Sequence, residues 1–524
     1  MVAPSVVPAP TITPAPTLSA TGTVSYDASI GNGVDANGFA NLPLRAGAHR
    51  YFVNSAAGSD GNGCGGAQQA ATPLRSIAAA MVCVQDGNGD QVLVAQGTSY
   101  SESLPNFNGR GGFSPLYPTV VQSYDPLDPT NEAKYGRAAS PNRPVISNST
   151  LQYISSRGGL YTNSAKYFAI RGFDLNPGNV AGPTITFIPN NNGTNDYVLI
   201  ENNLFRYTAL GVDQAMASTR ANHLIIRNNS FYGQWAPGPN AGGAHVSAMY
   251  IDNWDNVTLE DNVFWHNGWK VGVSRDADTS IGGLGGDEVF RHSYYLQEST
   301  TATIRRNLIA DGPADCGTAR GDLVHTENVL IDCPIAIDVG GGDQYSIGRP
   351  NGVSLEVSYN AVIGDADITS SFPRRWGIRT LNGKLGSSAH HNLLVQSSDL
   401  AAAAANGAVF TTEARYDQPS YMDWHDNRSY RRVPSGRTHF DNGGAYGSTQ
   451  VFTTYQANLW DDASLGTNAN DASTSFPNPY TAAQLYAALG FADKQSFINY
   501  AIEHPEAHIQ RNARQLLFTG YGMN

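Results

Sequence analysis

The stretches "LIIRNNSFY" (224–232) and "VTLEDNVFW" (257–265) share one pattern: a strand-like alternation, an asparagine, then two or three apolar residues. The pattern recurs in "YVLIENNLF" (197–205), "ATIRRNLIA" (302–310), "LVHTENVLI" (323–331), "LEVSYNAVI" (355–363), "SSAHHNLLV" (387–395) and "MDWHDNRSY" (422–430). The shared asparagines are Asn203, Asn229, Asn262, Asn307, Asn328, Asn360, Asn392 and Asn427, separated by 26, 33, 45, 21, 32, 32 and 35 residues. A propeller or a leucine-rich repeat holds its period more tightly, whereas strands of constant length joined by loops of variable length give this spread. The pattern therefore predicts an all-β, parallel β-helix solenoid. Its asparagines stack at a sharp bend, hydrogen-bonding to one another and to turn backbone. A β-sandwich with ordinary turn asparagines is the competing reading.

The composition agrees with many short strands and turns: of 524 residues, 15% are charged and 55 are glycine. A formal charge of −12 excludes non-specific nucleic-acid binding, which needs excess Lys and Arg to displace phosphate counterions. With five lysines in the chain, cationic roles fall to Arg, and a local Arg cluster still suits an acidic glycan. There is no run of about 20 apolar residues, so no membrane partner is expected. Cys64, Cys83, Cys316 and Cys333 form two locally spaced pairs without a CxxC pattern. They read as two short-loop disulfides, with buried thiols as the alternative, and disulfides would place the protein outside the cytosol, secreted or periplasmic.

Residues 1–22, "MVAPSVVPAPTITPAPTLSATG", lack the basic and apolar regions of a signal peptide. They read as a disordered Pro-rich linker of the kind left when a secretion signal is removed, with an initiator Met in its place. Residues 23–460 are expected to form the β-helix domain. Residues 461–524 carry helical spacing at Leu485, Tyr486, Leu489, Phe491, Phe497 and Ile502 and are expected to form a helical cap packed on the last coils.

The repeat resembles the right-handed parallel β-helix superfamily of polysaccharide lyases and hydrolases, among them pectate lyases, alginate lyases, polygalacturonases and phage tailspike depolymerases. Residues 51–76, "YFVNSAAGSDGNGCGGAQQAATPLRS", are similar to the opening motif of its secreted bacterial members: a strand, a Gly/Asp/Asn loop, then an N-terminal capping helix. The resemblance spans roughly residues 50–460 and implies a monomeric, carbohydrate-active enzyme with a polysaccharide substrate in a groove along one sheet. The closely spaced aspartates that hold Ca²⁺ in pectate lyases are missing here, as are the alginate-lyase Lys/Arg signature and a polygalacturonase-like "GHG". No cofactor or metal is expected, with Ca²⁺ as an open alternative for which the sequence holds no clear ligand cluster.

Outward residues of successive coils form a ladder of about 4.8 Å per step, the scale of an extended glycan. Tyr250 lies 12 residues before Asn262 and Tyr295 lies 12 before Asn307, so "AMYIDNWDN" superposes on "SYYLQESTT", Tyr250 on Tyr295 and Asp252 on Gln297. Alternation sends Ile251 and Leu296 inward, and alignment by apolar pattern adds Asp213, Arg320, Asp338 and Arg379 to one outward polar strip. Tyr294 aligns with Met249 and is expected in the core. The long insertions at 234–248 and 268–292 precede these strands and bring His245, Trp269, Lys270, Arg275 and, at the end of the second loop, His292. The catalytic candidates are His292, Tyr295 and Arg320. They suit β-elimination from a uronic acid: Arg320 holds the substrate carboxylate, His292 removes the C5 proton, and Tyr295 protonates the leaving oxygen. Lys270 or Arg275 are alternatives for the cationic or basic role. Asp213, His245, Tyr250, Asp252, Trp269, Lys270, Arg275, Gln297, Asp338 and Arg379 are expected to bind substrate. Hydrolysis by paired carboxylates, with Asp213 and Asp252 on neighbouring coils, is the competing enzymatic reading. A glycan-binding or tailspike-like solenoid is the non-catalytic one.

Overall fold

The computed structural model describes residues 24–102, 109–147, 152–155, 166–180, 184–187, 196–213, 220–235, 246–273, 291–312, 315–341, 352–364, 376–396, 410–413, 420–431, 440–443, 451–456, 458–462, 472–473 and 482–523. The chain is a parallel β-helix solenoid, and every ladder between its strands is parallel. Each coil presents three faces. The first contains Ala209–Asp213, Val246–Asp252, the starts of Arg291–Arg305 and Asp315–Thr326, Ile335–Gly340 and Trp376–Leu381. The second contains Asp196–Glu201, Ala221–Arg227, Trp254–Glu260, the ends of the two long strands, Leu355–Ser358, Ser388–His390 and Ser420–His425. The third contains short strands such as Ser230–Tyr232, Leu308–Ala310 and Val329–Ile331.

The bend between the second and third faces explains the repeat. The residue before each ladder asparagine is left-handed: Asn202, Asn228, Asp261, Arg306, Glu327, Tyr359, His391 and Asp426 have φ between 53 and 59°. That conformation costs an L-residue roughly 1–2 kcal/mol. The asparagine that follows offsets it by satisfying buried turn backbone. Asn328 Oδ1 accepts the backbone N–H of Asn307 at 2.9 Å and its Nδ2 at 2.9 Å, and Asn307 Nδ2 also donates to Leu259 O at 3.0 Å. The same links run from Asn203 through Asn427, and Asn458 extends the stack by one more coil.

Inside the solenoid, register stacks Ile200, Ile226, Leu259, Ile304, His325, Val357, Ala389 and Trp424 in one column. Phe205, Phe231 and Phe264 stack with ring centroids 4.6 and 4.8 Å apart. His325 is the polar member of an otherwise apolar column and is fully buried. Its Nδ1–H donates to Asn360 Oδ1 at 3.1 Å, leaving Nε2 to accept from the Tyr294 hydroxyl at 2.7 Å. Tyr294 is in the core, as the alignment with Met249 requires.

Three devices cover the solenoid. Helix α1 (Gly63–Gly66) and helix α2 (Ile77–Cys83) are joined by the Cys64–Cys83 disulfide, and α2 plugs the N-terminal end of the core with Ile77, Ala80 and Met81. Its N-cap Ser76 accepts from Ala79 N–H, satisfying one of the donors that a helix start leaves open. Residues 24–48 run as a strap over the outside of the second face, where Ile30, Ala40 and Leu42 cover Val120, Ala169, Leu199 and Ile225.

Helices α3 (Ala482–Ala488), α4 (Lys494–Glu503) and α5 (Ile509–Gly520) form the C-terminal helical cap. They lie along the flank of the third face rather than across the last coil, packing on Val263, Leu308, Val329, Ile331, Ala361 and Leu393. The cause is legible in the strands: in Leu308–Ala310, Ile309 faces the core while Leu308 and Ala310 point outward, so this face is apolar on both sides and needs a cover.

At the corner under the strap, Arg171, Glu201, Arg227, Glu260 and Arg305 share one register column of alternating charge. Arg227 and its two carboxylate neighbours are fully buried, at 2.9 Å from Glu201 and 3.1 Å from Glu260. Buried charges persist only when paired in this way.

Candidate functional site

The outward side of the first face carries most of the expected site. Its register gives two neighbouring columns instead of one strip. Asp213 pairs with Asp252, and Arg320 pairs with Gly340. Tyr250, Tyr295, Thr318, Asp338 and Arg379 form the second column. Aligning "GTARG" with "AIDVG" by apolar residues sets Ala319 against Ile337, whereas Ala319 pairs with Val339. A two-residue slip keeps every side chain on its own face, so alternation cannot detect it.

The slip has a chemical result. Arg320 reaches diagonally to Asp338 and forms a bidentate pair, Nη1 to Oδ1 at 3.1 Å and Nη2 to Oδ2 at 2.9 Å. Arg379 binds the same carboxylate from the other side, Nε to Oδ1 at 3.0 Å, with Nη2 against Oδ2. The three side chains are buried, Asp338 completely. Burial alone would lower the Arg320 guanidinium, but the Asp338 carboxylate, with Tyr295 and Asp315 behind it, raises it above its ordinary value. Burial alone would likewise raise Asp338, and the two guanidinium groups instead hold it far below the usual carboxylate range. The Asp338 carboxylate is thus shared by two guanidinium groups.

Beside the trio stands an imidazole and phenol cluster. His292 is the second residue of the strand Arg291–Arg305, paired with Ser247 and Asp315, and not the end of the preceding loop. Its ring centroid lies 4.9 Å from that of Tyr295, and its Nδ1 lies 3.2 Å from Thr318 Oγ1 and 3.8 Å from Asp315 Oδ2. His292 is only 4% exposed and forms the floor with Asp315 and Thr318, while Tyr295, Tyr250 and Gln297 are partly exposed. Tyr250 meets Tyr295 edge-on at 5.8 Å, and its hydroxyl contacts Gln297 Oε1 and lies 3.5 Å from Asp252 Oδ2. Asp315 and Thr318 escaped the sequence reading because only the register with the next coil puts them against His292. The Cys316–Cys333 disulfide, between these two residues and the following turn, ties the strand in place.

The other expected residues are dispersed. Trp269 is buried, its ring 4.3 Å from that of His266. Lys270 lies over the Trp235 ring at 5.2 Å. Asp213 closes its strand, and nothing is described of its side chain. His245 and Arg275 fall outside the described residues. No helix among the described residues is long and apolar enough to cross a membrane.

No protein-family model and no curated protein matches this chain. Among solved structures it is similar to a GH136 lacto-N-biosidase from Eubacterium ramulus, at 13% identity and a TM-score of 0.36, covering 78% of this chain and 68% of that one. It is also similar to a mannuronic acid specific polysaccharide family 6 lyase from human gut microbiota, at 10% identity and a TM-score of 0.39, covering 81% and 94%. A rhamnogalacturonan lyase follows at 13% identity and a TM-score of 0.28, covering 78% and 87%.

Proposed function

We propose that this protein is a secreted polysaccharide lyase that cleaves a uronate-containing glycan by β-elimination on the outward side of its first face. The observation that carries the reading is the convergence of His292, Tyr295 and Thr318 beside the trio of Arg320, Asp338 and Arg379. A proton on Nδ1, directed at Thr318 and Asp315, would put the lone pair of His292 on Nε2, the form a general base needs. Nε2 takes the C5 proton of the uronate, and the electron pair left behind forms the C4–C5 double bond as the C4–O glycosidic bond breaks. Tyr295 gives its phenolic proton to the departing oxygen, and a proton from His292 restores it. The guanidinium groups of the trio stabilise the carboxylate-conjugated anion that develops at C5. Tyr250 and Gln297 supply hydrogen bonds and a ring face to neighbouring sugars. The two disulfides accord with an oxidising compartment.

Hydrolysis stands as a second reading because Asp213 and Asp252 are register partners on adjacent coils, the arrangement from which a carboxylate pair is built. A panel of acidic bacterial and algal polysaccharides, read for both ultraviolet absorbance and reducing ends, separates the two. Absorbance from new unsaturated uronate ends supports elimination. Reducing ends without it support hydrolysis, and binding with neither supports a glycan-binding solenoid.

A further inference from the structure

We propose that the corner formed by His391, His425 and Asp426 is a binding site for a late first-row divalent transition-metal ion of the Zn²⁺, Ni²⁺ or Cu²⁺ class. The repeat itself assembles it. His391 (φ 53°) and Asp426 (φ 55°) occupy the left-handed corner position of consecutive coils, and His390 and His425 occupy the position before it, in register with each other. Four groups are thereby delivered to one edge. The ligand-capable atoms of His391, His425 and Asp426 lie within 4.8 Å of one another, so small side-chain rotations bring them to a common ion. His425 Nδ1 is 2.8 Å from Asp426 Oδ2, His390 stacks on His425 at 4.9 Å, and His390 Nδ1 is 3.0 Å from His391 Nδ1.

The same corner is built differently in earlier coils. There the equivalent positions hold alternating charge, Glu201, Arg227, Glu260 and Arg305, and the column closes on itself through ion pairs. In the coils of His390 and His425, imidazole faces imidazole, and two ring nitrogens meet at 3.0 Å, a pairing in which at most one carries the proton. At the end of the C-terminal helices Phe518 packs on Tyr359 and Tyr521 meets Arg428 and Tyr430 of the third face, whereas at the corner itself His391 and His425 are partly exposed and Asp426 is exposed. A two-imidazole, one-carboxylate set with an open outer side matches metals that accept nitrogen and oxygen and keep a water ligand. Ca²⁺ and Mg²⁺ prefer all-oxygen shells, which this corner does not offer. Since the ligands come from two coils, the ion would tie one coil to the next.

The test uses the untagged full chain, stripped with chelator and titrated with Zn²⁺ and Cu²⁺ by calorimetry, with Cu²⁺ electron paramagnetic resonance as a ligand readout. One equivalent bound at micromolar or lower concentration, a rise in melting temperature and nitrogen superhyperfine lines from imidazole are expected. His391→Ala and His425→Ala should each weaken binding at least about tenfold and remove nitrogen lines, and Asp426→Asn should weaken it with those lines kept. His49→Ala, in the first coil, should change nothing. Absence of binding by folded wild-type protein at micromolar metal would overturn the assignment, as would unchanged binding in a folded His391→Ala/His425→Ala double variant. If the histidine variants do not fold, Asp426→Asn, at an exposed position, carries the test, and unchanged affinity there would overturn the assignment.

Discussion

The rings of His292 and Tyr295, three residues apart on one strand, lie 4.9 Å apart, with His292 held at Nδ1 by Thr318. This pair is the proposed base and acid. His292→Ala and Tyr295→Phe are expected to lower kcat by at least about 10²-fold each, the range of a positioned proton-transfer group. Circular dichroism and melting temperature should stay close to wild type for Tyr295→Phe, which keeps the ring. Equal turnover in both variants would move the chemistry elsewhere on the face.

Asp338 sits fully buried between Arg320 and Arg379. Asp338→Ala leaves two buried guanidinium groups without their shared counter-ion and should destabilise by about 3–5 kcal/mol in urea unfolding. The depressed carboxyl of Asp338 contributes stability that is fully present above the ordinary carboxylate pKa, about 4, and is lost only as pH falls toward its lower folded value.

His325 acts on the same acid side of the pH profile, in a higher window. Burial pulls its pKa down to about 4, with the Asn360 hydrogen bond opposing only in part. The unfolded chain binds a proton near pH 6.5 that the folded chain refuses, so stability should fall as pH drops from about 6.5 to 4, by about 3 kcal/mol. Tyr294→Phe/His325→Leu removes both partners of the buried hydrogen bond and should flatten that slope. Urea midpoints at several pH values between these limits measure it, and an unchanged slope would contradict the assignment.

The asparagine stack carries the coils. Asn307→Ala removes an acceptor for the Asn262 side chain and backbone, and a donor to Leu259 O and Asn328 Oδ1. The unsatisfied buried groups should cost about 1–3 kcal/mol. Asn307→Asp keeps the acceptor but buries a charge and should fare no better, as thermal melts would report.

Much of this architecture is written in local patterns. The asparagine spacing gives the coils, the alternation gives the lumen, and Tyr250 on Tyr295 follows from counting alone. The cysteine pairs are both disulfides. What escapes is what the pattern leaves degenerate. The two-residue slip at Ala319 preserves inward and outward parity, so only hydrogen-bond register separates Arg320 from the Asp338 column. Other signals are present but lie off the repeat's main feature. The alternation of Arg171, Glu201, Arg227, Glu260 and Arg305, each two residues before the bend's end, announces an ion ladder. "AHHN" and "WHDN" at equivalent positions announce a histidine corner. Each becomes visible when columns are read across coils instead of along the chain.

The central claim is that bond cleavage occurs by elimination, and the masses of the products test it most directly. An acidic oligosaccharide of defined length, cleaved once by the wild-type protein, should give two fragments whose masses sum to that of the substrate, one of them unsaturated, with no cleavage by His292→Ala. Fragments whose summed mass exceeds the substrate by one water would contradict elimination and assign the face to hydrolysis.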